Sequence, residues 1–415
     1  MPSQPQPAAA PAGTPSSQTV NIGIRASLLP QMQSPHVLGA LRQQWPDKRF
    51  VVHTIGSLGS AEEEDMTPLH DFDDKSLWQH ELETMLEEGE IDVVFNRVKG
   101  AWWCSLFCSP DQWSCVSWVL TVHAGCYAID IPLSTSHDRN ISPIVAVLPR
   151  ADAASVLLLS HSTSTPTTAT DTDTAETILS KLPANSRIGT TSPLRLAQLR
   201  RLQPHLSAQL LHGKPAALLA RLHEPDSNLT ALVLGGASLA RTGLHSRRHS
   251  STGTADSDAH AQRQGQSHTR IHEPAQLQLL HAVGQGLLGA LVRRDDAATA
   301  ALLAPLADAP STMSCAAERA LARSLAAGGC GALVGVSTIF TAGGRELTLR
   351  AVATSRDGTQ AVEGAEMRQV GTPLEAEALG HDVAADMLER GADALLEKVA
   401  VDLGRAEVQG RGPVV

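Results

Sequence analysis

The chain has 415 residues, 42% of them apolar, 18% charged and only 3% aromatic, with a formal net charge of −10. That length allows two or three domains with cores filled by Leu, Val and Ala, and the charge leaves no basic surplus to neutralise phosphates, which argues against a general nucleic-acid binder. No run of about 18 apolar residues occurs, so no membrane span is predicted.

The chain opens on MPSQPQPAAAPAGTPSSQTV, which has no Arg, no Lys and no apolar core. It fits neither a secretory signal nor an arginine-rich transit peptide, and residues 1–19 read as a disordered tail. Without a secretory context the six cysteines read as reduced thiols, and the cytoplasm is the expected compartment.

VNIGIRASLL (20–29), RFVVHTI (49–55) and IDVVFNRV (91–98) read as strands, separated by the helices HVLGALRQQW and DDKSLWQHELETMLEEGE. That alternation predicts a parallel α/β sheet. The rhythm resumes with IVAVLPR (144–150), SVLLLS (155–160), SRIGTTS (186–192), the helix PLRLAQLRRLQ and TALVLGGASLAR (230–241). Residues 247–268 are of low complexity and read as a disordered loop. From Thr312 onward, helix, strands and a final helix predict a separate α+β domain.

One segment stands apart. AWWCSLFCSPDQWSCVSWVLTVHAGC (101–126) holds four of the six Trp and four of the six Cys. Cys104, Cys108, Cys115, His123 and Cys126 are enough ligands for zinc, although no CxxC pair occurs. A buried apolar hairpin is the plainer alternative. The seventeen His of the chain show no ligand spacing, and no metal site is predicted.

SLAAGGCGALVGVST (324–338) places Cys330 between glycines just before a strand. Taken alone, Cys330 is either a small core thiol or an accessible nucleophile with room for a bulky substituent. AERALARSLAAGGCGALVGV resembles the third-domain signature of the hydroxymethylbilane synthase (porphobilinogen deaminase) family. In that family the cysteine carries a dipyrromethane cofactor through a thioether, which implies that role for Cys330. Further segments resemble the family in the same order. They are GIRASLL (Arg25, Ser27), DDKSLWQHELE (Lys75), IGTTSPLRLAQLRR (Thr190, Ser192, Arg195), LVLGGASLARTGL (Arg241) and HAVGQGLLG (Gln285).

The resemblance implies a fold of two periplasmic-binding-protein-like α/β domains with a cleft between them, plus a C-terminal α+β domain. It implies domain 1 over 20–99 and 284–305, domain 2 over 130–283 and a cofactor-carrying domain 3 over 306–415. It also implies a monomer that binds neither nucleic acid nor membrane. The activity implied is head-to-tail condensation of four porphobilinogen units, with release of ammonia at each step. Pyrrole acetates and propionates call for arginines and lysines, and the cationic azafulvene left by ammonia loss calls for a carboxylate. On this reading Lys75, Ser192 and Arg195 hold the cofactor with Cys330. Arg25, Ser27, Thr190, Arg241 and Gln285 bind substrate, and Lys99 and Asp130 are catalytic.

The chain departs from the family where that carboxylate belongs. The family has K-D-x-P after its third strand, whereas here Lys99 is followed by Gly100 and the Trp-rich segment. Joining Lys99 to Asp130 gives KDIP and restores the motif. A GGT codon for Gly100 and ATA-GAT for Ile129-Asp130 would supply GT and AG splice signals, so residues 100–129 read as a translated, unspliced intron. Leu194, His212 and Leu218 also stand where the family has arginines, while Arg150 and Asp152 are kept. Each missing ion pair is worth about 1.5–3 kcal/mol of binding. A catalytically dead relative serving as a two-lobed binding or scaffold protein is therefore the alternative to the enzyme.

Overall fold

The computed structural model of the chain describes residues 19–25, 35–55, 81–98, 144–160, 175–213, 215–224, 227–241, 271–272, 279–326, 333–341 and 344–399. Of the residues singled out above, Ser27, Lys75, Lys99, Asp130 and Cys330, the insert 100–129 and the loop 247–268 lie outside them, as does the side chain of Arg241. The described residues form two compact units, one from those up to 97 with 144–149 and 288–312, the other from 98, 150–287 and 313–399.

The first unit is built on five strands: β1 (Thr19–Arg25), β2 (Arg49–Ile55), β3 (Val93–Arg97), β4 (Ala146–Val147) and β11 (Leu288–Val292), in the order β2-β1-β3-β11-β4. β1 runs parallel to β2 and β3, whereas β11 is antiparallel to both of its neighbours. Alternate residues of the strands serve opposite faces, as the two-residue period requires. Ile22, Ile24, Val93 and Phe95 pack on Val37, Leu38, Leu41, Leu302 and Leu303. Those partners come from the turn Pro35–Gly39, from α1 (Ala40–Gln44) and from a later helix, Ala297–Leu303. On the other face Val94 and Leu291 meet Leu82 and Leu86 of α2 (81–88) and Ile91.

The second unit contains a sheet with the same plan: β7 (Ser207–Leu210), β6 (Arg187–Thr190), β8 (Ala231–Gly235), β5 (Ser155–Leu159) and β9 (Ile271–His272). β6 is parallel to β7 and β8, and β5 is antiparallel to β8 and β9. SVLLL and ALVLG are buried along their whole length because helices cover both faces. Leu157, Leu159, Ile188 and Val233 pack on α3 (Ala175–Lys181) and α4 (Pro193–Leu202), through Ile178, Leu179 and Leu199. Val156, Leu158, Leu232 and Leu234 pack on α5 (Pro215–His223) and α6 (Gly236–Arg241), through Leu218, Leu222 and Leu239.

The same unit holds an antiparallel sheet, β10 (His281–Ala282), β12 (Val334–Phe340), β13 (Glu346–Thr354) and β14 (Ala361–Gln369). Its inner face packs Val334, Val336, Leu347, Leu349 and Ala351 on two helices that follow α7 (Ala297–Leu303): α8 (Ala309–Ala326) and α9 (Pro373–Glu389). These α/β and α+β sheets match the fold class expected from the sequence. The boundaries differ. The sequence reading puts 144–149 in domain 2, yet β4 pairs with β11 in the first sheet. It returns the chain to domain 1 at 284, yet Gln285 and Gly286 bond back to Ala153 and Ala151, and only β11 joins the first sheet.

Candidate active site

In an open α/β sheet, functional groups gather beyond the carboxyl ends of the parallel strands. In the second unit that edge carries Thr190 at the end of β6 and Gly235 at the end of β8. Antiparallel pairing brings the start of β5 to the same edge, with Ser155 opposite Gly235. Thr190 is fully buried, and its Oγ1 accepts from Ser192 N at 3.4 Å. Ser192 caps α4: it sits in extended conformation ahead of Pro193, and its Oγ accepts from Arg195 N.

Arg195, one turn into α4, is 5% exposed. Its Nε donates to Ser155 Oγ at 2.8 Å and its Nη2 to Gln285 Oε1 at 3.1 Å. Both partners are neutral, and among the described residues no carboxylate pairs with this guanidinium. Burial pushes its pKa down to about 10, still far above neutrality, so the group remains a buried cation. Gly235 leaves room beside it, since a Cβ there would stand 2.9 Å from Arg195 Nη2.

Gln285 sits in a turn that Gly284 (φ 69°) and Gly286 (φ 83°) enter with left-handed backbone. A side chain at Gly286 would also collide with Ala151 O. Gln285 Nε2 donates to Ala153 O at 2.6 Å, and Gln285 O accepts from Arg150 Nε at 2.9 Å. Arg150 in turn reaches α8, where Nη1 donates to Glu318 Oε1 at 2.6 Å and Nη2 to Oε2 at 3.2 Å. Glu318 also accepts from Thr338 Oγ1 and from Gly284 N, each at 2.8 Å. Its side chain is wholly buried. Burial by itself would raise the carboxyl's pKa, but Arg150, His281 and the Gly284 N–H outweigh it and hold the group below its ordinary value. His281, 3.4 Å from Arg150 Nη2, is lowered in turn, first by burial.

Of the expected site residues, the structure brings together Thr190, Ser192, Arg195 and Gln285. Arg25 lies in the first unit, at the carboxyl end of β1 opposite Ile55 of β2. Leu194 and Leu218, at positions where the resemblance implies arginines, are buried in apolar clusters, Leu194 with Leu333 and Val399, Leu218 with Leu222 and Leu229. Cys315 is buried, and its thiol is pushed up to about 11 by that burial. Ser155, Gly235 and Glu318 were not legible as site residues, although Glu318 carried a signal. It falls on the buried stripe Ser314, Leu321 and Leu325 of α8, where a carboxylate demands a partner.

Residues 20–100 and 128–301 match the family model described as porphobilinogen deaminase, dipyromethane cofactor binding domain. Residues 312–389 match the model of the porphobilinogen deaminase C-terminal domain. The chain belongs to the porphobilinogen deaminase family. It is 32% identical to the porphobilinogen deaminase of Yarrowia lipolytica over 388 residues, 92% of this chain and 94% of that one. With the Saccharomyces cerevisiae deaminase it shares 27% over 390 residues, 93% of this chain and 98% of that. With the Synechococcus elongatus deaminase it shares 29% over 384 residues, 92% and 96% of the two. Among solved structures, the aliphatic sulphonate binding protein SsuA of Escherichia coli covers 94% of this chain and 92% of its own, at 13% identity and a TM-score of 0.33, too slight a likeness to bear on the site.

The family's cofactor, a pair of pyrroles bearing carboxylate arms, fits what the described residues offer. A buried guanidinium without a carboxylate, beside a bare Gly235, suits an anionic group that must approach closely.

Proposed function

We infer that the chain is a hydroxymethylbilane synthase of the porphobilinogen deaminase family, a transferase of tetrapyrrole and haem biosynthesis. It condenses four porphobilinogen units into hydroxymethylbilane with release of ammonia. The observation that carries the reading is Arg195, a buried cation whose hydrogen-bond partners among the described residues are all neutral and which is therefore available to a ligand carboxylate. When bound through Cys330, dipyrromethane supplies the primer on which the pyrrole chain grows.

The chain's own residues then divide the work. Cys330, Lys75, Ser192 and Arg195 hold the cofactor, the cations pairing with its carboxylates and Ser192 orienting the α4 terminus. Arg25, Ser27, Thr190, Arg241 and Gln285 serve the substrate. Asp130 stabilises the cation left by ammonia loss and moves its protons, with Lys99 beside it. The protein acts as a monomer in the cytoplasm; no helix among the described residues is long and apolar enough to cross a membrane. Residues 100–129 are a translated intron whose removal joins Lys99 to Asp130. The interruption of the family match between 100 and 128 supports this.

Intact mass and porphobilinogen turnover, measured on the full chain and on a version lacking 100–129, test the reading. A dipyrromethane adduct on Cys330 and consumption of porphobilinogen by the shortened version are expected. An unmodified cysteine without turnover in both would favour the dead relative instead. Transcript reads that cover 100–129 uniformly, with no spliced product, would remove the intron.

A further inference from the structure

Two arginines converge on Gln285 and meet different fates. Arg150 gives Nε to the Gln285 carbonyl and both terminal nitrogens to the Glu318 carboxylate, so its charge is matched inside the protein. Arg195 gives Nη2 to the Gln285 side chain and Nε to the Ser155 hydroxyl, and neither partner carries charge. The orientation of the Gln285 amide is fixed from its other end. Nε2 donates to Ala153 O at 2.6 Å, which leaves only Oε1 to face the guanidinium.

We propose that Gln285 is a positioning residue that locks the Arg195 guanidinium in place without neutralising it, reserving that charge for a pyrrole carboxylate. The assignment rests on the function inferred above. Glutamate has the same length and reach, but it would set a carboxylate on Arg195 Nη2, so that an incoming carboxylate would find the charge already matched. It would also turn an oxygen toward Ala153 O, where the amide donates. A neutral apolar side chain would leave the charge free but the guanidinium unanchored. Of these side chains, only the amide both orients the cation and leaves its charge unmatched. Gln285 therefore acts on the ligand through Arg195.

The test compares the unsubstituted sequence (wild type at 285), Gln285→Glu and Gln285→Met, each as the full chain and as a version lacking residues 100–129. Three quantities are read: the fraction carrying the dipyrromethane mass, KM and kcat for porphobilinogen, and the thermal midpoint. Gln285→Glu is expected to melt at or above Gln285→Met, because it gains an ion pair with Arg195. Its cofactor loading should nevertheless be lower, or its KM at least about tenfold higher, in line with the loss of one charge-assisted pair. Stability and ligand binding thus rank the two variants in opposite orders. A Gln285 that merely supported the fold would rank them alike, and that result overturns the proposal, as does Gln285→Glu matching wild type. Should Gln285→Glu fail to fold, Ser155→Asp brings a carboxylate to the same guanidinium from its Nε side. Retention of wild-type loading and KM by that variant also overturns the proposal. If wild type itself carries no dipyrromethane and consumes no porphobilinogen, the functional reading fails and this inference falls with it. If wild type is loaded and active while Gln285→Glu equals it, this inference fails alone.

Discussion

Replacing Glu318 with leucine should be among the most damaging single changes available in the second unit. The wild-type carboxylate is wholly buried and accepts four hydrogen bonds, two from Arg150 and one each from Thr338 Oγ1 and Gly284 N. Glu318→Leu removes the Glu318 carboxylate from a mostly buried guanidinium, 16% exposed, and orphans the backbone N–H of Gly284. Uncompensated burial of one member of such a pair costs about 3–5 kcal/mol. The double variant Arg150→Met/Glu318→Leu removes the stranded charge as well. It should cost only about 1–3 kcal/mol, the share of the unmet N–H. The double variant should thus be more stable than Glu318→Leu by about 2 kcal/mol, read from urea titrations and from native-state hydrogen exchange of the Gly284 amide. Acid supplies an independent arm. The folded pKa of Glu318 lies below its ordinary 4.5, so its stabilising contribution is complete above about that pH and is lost as pH falls through the folded value. The gap between wild type and Glu318→Leu should therefore narrow on acidification below 4.5. A Glu318→Leu variant within about 1 kcal/mol of wild type, or a double variant no more stable than Glu318→Leu, would refute the reasoning.

Placing at position 218 the arginine that the resemblance implies should fail. Leu218 is 2% exposed in the cluster under α5, and Leu218→Arg should destabilise the chain by about 3–5 kcal/mol, whereas an unchanged melting midpoint with a lower KM would show the position opening to substrate. Gly358 has φ +78° at the tip of the β13–β14 hairpin, and a side chain there would collide with Ala197 O of α4. Gly358→Ala should cost about 1–3 kcal/mol by calorimetry, and a neutral result would mean that the hairpin does not rest on α4. Asp357 accepts from Ser355 Oγ and from the N–H and hydroxyl of Thr359, which pulls its pKa down to about 2. A carboxyl carbon titration by NMR should find it ionised at pH 3, and a midpoint near the ordinary 3.8 would contradict that geometry.

Much of this protein is legible in its sequence because the information is local. SVLLL and ALVLG read as strands since strands covered on both faces need unbroken apolar runs, and Ser192-Pro193 announces the start of α4 by its capping chemistry. The ordered series of short motifs ending at Gly-Gly-Cys330 was enough to name the family. AVEGAEMRQ was not legible as a strand. As the edge strand β14 it buries only Gly364 fully along its length, so no apolar run marks it. Nor could pattern place β11 in the first sheet, antiparallel and far along the chain from β3, because pairing is a non-local choice. The site's electrostatics belong wholly to tertiary structure. Gln285 meets Arg195 across 90 residues and Arg150 across 135, while Arg150 meets Glu318 across 168. Which of two arginines keeps its charge for a ligand depends on whether an acid or an amide folds up beside it, and no local pattern records that.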